Sequence, residues 1–267
     1  MTGKREGPGR PMRCDIAGIG LLGPGLPSWE ASRAVLAGGV PWEPAPVALP
    51  PPVALPPTER RRTSPSVRLA LAAAGEAAAG SGLPAAELET VFASSNGDGA
   101  VVGSILEALT VPDGAISPTQ FHNSVHNAAA GYWGIAMGST RASVSLGGHD
   151  DSFATGLVQA VASVVARGVP VLFCAYDAPL APPLDAKRPT DAPFAVALVL
   201  VPEGGVPLSV ELAPDAEVTP AGEMEGLARG NPAARSLPLL RALAAGRAAR
   251  IALPLADGGA VVLEVGA

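Results

Sequence analysis

Sulfur and imidazole are scarce in this chain of 267 residues, which holds two cysteines and three histidines. Cys14 and Cys174 each sit in an apolar, strand-like run (RCDIAGIGLL and VPVLFCAYDA), where a cysteine behaves as a small buried hydrophobe. Neither a disulfide framework nor a metal site follows from them. The histidines are His122, His126 and His149, and none occurs after His149. Aromatic residues make up 4% of the chain, and 18 basic residues face 24 acidic ones for a net charge of −6. With no basic stripe and few rings to stack on bases, nucleic acid is excluded as a partner. No uninterrupted apolar stretch reaches the roughly 20 residues needed to cross a bilayer. The run Phe153 to Ala166 is shorter and is broken by Thr155, Gln159 and Ser163, so no membrane insertion is expected. The basic start MTGKREGPGRPM leads into no apolar run, unlike a secretory signal. We expect a cytoplasmic protein with a flexible tail over residues 1–12.

Abundant instead are alanine, glycine and proline, within an apolar fraction of 48% that is ample for a core. Strand-like and helix-like segments alternate. A strand over 13–22 leads to Ser28, a cap for a helix over 29–36 that Gly38-Gly39 ends. The proline-dense stretch over 40–58 is expected as a surface excursion without regular structure. Ser64-Pro65 starts a helix reaching about Gly80, and Val91 to Ser94 is a short strand. A helix over 100–109, a loop SPTQFHN, a helix over 128–137, a strand over 142–146, a helix over 152–167 and strands over 169–175 and 194–201 follow. The tail 204–267 reads as a short α/β extension completing the same domain: a strand near 208–212, a helix near 236–245, and a hairpin closed by Asp257-Gly258-Gly259. The alternation gives an α/β fold.

Several patterns invite chemistry and do not complete it. Asn96-Gly97-Asp98-Gly99 lacks the lysine and hydroxyl pair of a phosphate cradle and the G-x-G-x-x-G spacing, and is expected as a tight strand-to-helix turn. His122 and His126 are four apart, but a loop there gives them no common face and no matched ligand set follows, so no metal is expected. His149, Asp150, Asp151 and Ser152 suggest a hydrolase, yet no G-x-S-x-G elbow surrounds the serine. These acidic and hydroxyl residues read first as caps of the following helix.

The stretch SPTQFHNSVHNAAAGYWGIAMGSTRASVSLGGHDDSFATGLVQAVASVVAR, over 117–167, resembles the middle of a β-ketoacyl synthase. The likeness continues in DIAGIGLLGPGLPSWEASRAVLAGG, in VRLALAAAGEAAAGSGLPAAELETVFASSNGDG and in KRPTDAPFAVALVLVPE, covering about Cys14 to Glu203. It implies a thiolase-like fold corresponding to the N-terminal half of that family over 13–203, truncated, with the tail after Glu203 outside the family pattern. In the family a nucleophilic cysteine opens the buried helix. Here the ungapped match puts Asp151 at that place, and neighbouring registers choose Ser152 or Phe153, none of them a thiol. The family's catalytic histidines come from a C-terminal half for which the remaining tail is too short.

The resemblance therefore implies a chain-length-factor-like subunit, of the kind found in aryl polyene and xanthomonadin-type pathways, that pairs with a complete β-ketoacyl synthase. An acyl carrier protein would dock on the complex, and no cofactor is implied. Carried over from the family, Ser143, Val144, Ser145 and Leu146 would face the partner, and Thr119, Gln120, Phe121 and Val125 would limit the growing acyl chain. The same residues serve equally as ordinary core. Two further readings stay open: an acyl- or malonyl-handling enzyme using Ser152 or Asp151, and a free-standing scaffold homodimer. The apolar helix FATGLVQAVASVV, sandwiched between two sheets in the family, demands a covering layer from the tail or from another subunit.

Overall fold

The computed structural model describes residues 10–266, so most of the expected tail over 1–12 lies outside the described residues, and Met12 already belongs to the first strand. Eight strands form one sheet: β1 (Met12–Leu22), β2 (Glu89–Ala93), β3 (Ser143–Leu146), β4 (Val171–Asp177), β5 (Phe194–Val201), β6 (Val206–Ala213), β7 (Ala249–Pro254) and β8 (Ala260–Val265). Their order is β3-β2-β4-β5-β1-β6-β8-β7. β2 runs parallel to β3 and β4. The remaining pairs are antiparallel. The tail extends this same sheet, because β6 pairs with β1 and sets Leu208 opposite Cys14. β4 and β5 are buried along their whole length, as the apolar runs VLFCAY and FAVALVLV require of strands covered on both faces, and β4 ends in the buried acid Asp177.

One face is covered by helix α3 (Pro65–Ser81), preceded by α1 (Trp29–Leu36) and the single turn α2 (Pro57–Arg60). The Ser64 hydroxyl accepts the Val67 N–H, and Pro65 sits in the first turn, so the start signal works as the sequence implies. Ala-rich α3 lies almost directly on β1: a Cβ at Gly18 would sit 2.1 Å from the Ala77 carbonyl oxygen, and one at Gly20 2.0 Å from that of Ala73. The glycines of DIAGIGLL thus permit close helix–sheet contact. Within the proline-dense stretch the α2 turn is a departure from the expectation of no regular structure. Arg60 explains it by donating to the carbonyls of Val53 and Leu55, which stitches the excursion to itself and buries Leu55.

After α4 (Gly99–Thr110), the segment expected as a loop forms helix α5 (Pro118–Asn123). Ser117-Pro118 is the same start signal as Ser64-Pro65, and proline's fixed φ favours the first turn here too. Helices α6 (Ala128–Met137) and α7 (Ser152–Arg167) then flank β3 in sequence. α7 lies on the face opposite α3. It is not buried all round: Phe153, Leu157, Ala160, Val161 and Val164 form one buried stripe, while Thr155 and Val165 are exposed. Burying each large member contributes roughly 1.5–3 kcal/mol. Only one sheet meets α7, and its other flank is closed by the tail. There α8 (Glu225–Gly230), the turn Ala233–Ser236 and α9 (Leu237–Ala245) bring Met224, Leu227, Ala234 and Leu237 into the same core cluster. Of the two covers the sequence demanded for this helix, the tail supplies one within the chain. No helix among the described residues is long and apolar enough to cross a membrane.

Candidate functional site

β3 delivers the chain into Gly147-Gly148, a turn over His149–Asp151, and the first residue of α7. His149 adopts φ +54°, the left-handed region, which tightens this turn. The Ser152 hydroxyl is fully buried, accepts the Gly148 N–H at 3.0 Å and donates to the His149 carbonyl at 2.7 Å. Its single proton is spent on the His149 carbonyl, and the His149 ring is exposed, so among the described residues no base takes that proton. That geometry leaves the hydrolase pattern without its central hydrogen bond.

The two aspartates do not cap α7 with their side chains. They are drawn off by partners distant in sequence. Asp150 pairs with Arg188 and, at 2.9 Å, with Arg235. Asp151 accepts the Ala256 N–H at 2.8 Å and lies 3.7 Å from the other nitrogen of Arg235. Partial burial pushes the Asp150 carboxyl up, but the Arg188 hydrogen bond and the Arg235 and Arg188 charges outweigh it and hold the group below its ordinary range. A cavity of about 310 Å³ adjoins Asp150 and Arg235, with Val218, Ala228, Leu253 and Leu255 in its wall. The place where the sequence match sets a nucleophile is thus an ion-paired knot between core and tail. Sequence reading found the acids and missed Arg188 and Arg235, because nothing in local spacing links residues 38 to 85 positions apart; the one available clue is that two adjacent acids at a buried helix start need countercharge.

The histidines stand apart. His126 Nε2 lies 3.0 Å from the Ser94 carbonyl oxygen, and His122 packs edge-on against Tyr132. Among the described residues no cluster of three or more histidine, cysteine or acidic side chains is arranged to hold a metal ion.

The other candidates surround the sheet edge. Among the described residues β3 pairs only with β2, which leaves its outer edge open. Ser143 is exposed and accepts the Thr90 hydroxyl; Val144, Ser145 and Leu146 are half-buried. Beside them runs a groove of about 800 Å³ bordered by Trp133, Ile135, Arg141 and Ser145. Thr119 and Gln120 are half-buried on α5, whereas Phe121 is 65% and Val125 47% exposed. Leu106 and Leu109 of α4 and Ile135 of α6 are also exposed. In this chain alone, Phe121 and Val125 are not core residues.

The sequence pattern of the β-ketoacyl synthase, N-terminal domain, family matches residues 29–255. The chain belongs to that family. The match runs past Glu203 through most of the tail, further than the segments quoted above. Among solved structures, a chain of the complex titled ketosynthase (ApeO) with its chain length factor (ApeC) from Xenorhabdus doucetiae is 23% identical. It aligns over 94% of this chain and 98% of its own length with a TM-score of 0.71. A chain of the ishigamide ketosynthase/chain length factor is 16% identical over 96% of this chain and 99% of that one, with a TM-score of 0.71. A chain of AntDE:AntF, a type II polyketide synthase carrier protein in complex with its ketosynthase, is 13% identical over 97% of this chain and 100% of that one, with a TM-score of 0.74. These likenesses establish the thiolase-like ketosynthase fold. No curated protein matches the chain.

Proposed function

We propose that this member of the β-ketoacyl synthase family is a non-catalytic, chain-length-factor-like partner of a complete ketosynthase in polyene, polyketide or fatty-acid-like elongation. The observation that carries the reading is the closed nucleophile position. Asp151 stands there, fixed by the Ala256 N–H and flanked by Arg235, and the neighbouring Ser152 is buried with its hydroxyl consumed. A nucleophile that carries an acyl chain as a stable ester or thioester is an activated, accessible hydroxyl or thiol, whereas this turn offers ion-paired carboxylates and one buried hydroxyl. The open β3 edge, with exposed apolar residues on the helices beside it, supplies what a partner needs: unpaired backbone groups and area to bury. Solved structures of the same fold come from ketosynthase assemblies, one of them with an acyl carrier protein bound.

In this reading Ser143 to Leu146 face the ketosynthase. Thr119, Gln120, Phe121 and Val125 bound the acyl chain, their bulk setting how far it grows, and the carrier protein docks on the assembled pair in the cytoplasm. Ser152→Ala tests the non-catalytic assignment in the reconstituted complex. Turnover should persist, with the free chain destabilised by about 1–3 kcal/mol because the Gly148 N–H loses its acceptor. A complex that assembles normally and loses turnover would instead assign Ser152 an acyl- or malonyl-transfer role.

A further inference from the structure

A second polar cluster lies at the C-terminal end of β4, beside the knot and joined to it through Arg188. The Asp177 side chain is buried at 1% exposure. One carboxyl oxygen accepts three hydrogen bonds from the loop after β2: the Ser94 hydroxyl at 2.9 Å, the Ser95 N–H at 2.9 Å and the Asn96 N–H at 3.1 Å. The other oxygen is buried without a partner among the described residues. Arg188 reaches the same loop, donating to the Ser95 hydroxyl at 2.7 Å, and its Nε is also buried without a partner among the described residues. The loop is the launch of α4. That helix rests on the segment between Asp177 and Arg188: a Cβ at Gly99 would meet Leu180 at 1.8 Å, and one at Gly103 would meet Ala181 at 3.3 Å.

We propose that Asp177, together with Arg188, is a proton-operated clamp on the Ser94–Asp98 loop: protonated, Asp177 holds the loop and α4 closed, and ionised, it releases them. A neutral carboxyl keeps all three bonds to the loop through its carbonyl-type oxygen and leaves no charge in the buried site. An ionised one spreads its charge over both oxygens, of which only one is hydrogen-bonded while the other is buried without a partner among the described residues. The three donors and the Arg188 charge compensate that charge only in part, since burial outweighs them. Asp98, at the start of α4, is itself a buried acid pushed up by desolvation. Tyr176 and Cys174 contribute neutral side chains from β4, and Asn231 from the tail donates to the Asp177 main-chain carbonyl, not to the carboxylate. His126 touches the Ser94 carbonyl. Arg188 provides the nearby positive charge and divides it with Asp150, which also holds Arg235.

Desolvation dominates at Asp177 and lifts its pKa to about 7, against the downward pull of its hydrogen bonds to Asn96, Ser94 and Ser95 and of the Arg188 charge. The folded pKa is raised, so the closed state binds the proton more tightly than the open one. The holding free energy is full at low pH and falls as pH rises from about 4 to about 7, then levels off.

Amide hydrogen exchange of the isolated chain at pH 5.5 and 8.0, corrected for intrinsic rates, reads this directly. Peptides covering 94–110 should open about 30-fold more readily at pH 8.0, and Asp177→Asn, which keeps the accepting oxygen and removes the charge, should flatten that ratio. An equal ratio in both proteins, or none in the wild type, overturns the proposal. Should Asp177→Asn not fold, a carboxyl carbon-13 titration of the wild type decides: a midpoint near neutrality supports the clamp, and one in the ordinary range near 4 refutes it.

Discussion

Phe121→Ala tests whether a ketosynthase covers the exposed ring on α5. At 65% exposure, a side chain of roughly 200 Å² leaves about 130 Å² in water. Removing it from the free chain costs little packing, and alanine is the better helix former, so free-chain stability should stay within about 0.5 kcal/mol of wild type. If a ketosynthase covers the ring, the same 130 Å² at about 25 cal/mol per Å² is worth about 3 kcal/mol, or two orders of magnitude in Kd. Urea unfolding of the free chain and calorimetric titration with the ketosynthase measure the two quantities separately. A stability loss of about 3 kcal/mol with an unchanged Kd would refute the reasoning, since it would make Phe121 a core residue of this subunit.

Phe153→Ala works in the opposite sense, because Phe153 is fully buried with its ring 5.6 Å from that of Phe173; it should cost about 3–5 kcal/mol in urea unfolding of the free chain. Arg235→Ala should destabilise the chain by about 1–3 kcal/mol at neutral pH by leaving Asp150 and Asp151 short of a partner. Asp150 has a lowered folded pKa, so the stability it contributes is present above its unfolded pKa and is lost as pH falls through the lower, folded one. The gap between wild type and Arg235→Ala in pH-dependent unfolding should accordingly narrow below about pH 4.

What could be read from the sequence was whatever depends on local pattern. β4 and β5 announce themselves as unbroken apolar runs, Ser64-Pro65 as a helix start, and Asp257-Gly258-Gly259 as the turn between β7 and β8. The start signal at Ser117-Pro118 was equally present, but six residues of helix carry too little periodicity to display themselves, and the segment reads as a loop. Distant pairing was not legible. That β6 joins β1, that the tail covers α7, and that Arg188 and Arg235 neutralise Asp150 are decided by contacts between residues with no local relation. The missing thiol at residues 151–153 was plain in the sequence. Why the acids there are tolerated became plain only when their countercharges were located.

Co-expression with the ketosynthase encoded nearest to this chain, followed by native mass spectrometry of the purified product, tests the central claim most directly. The account predicts a one-to-one complex of the two chains. A stable monomer, or a homodimer of this chain that leaves the ketosynthase unbound, would contradict it.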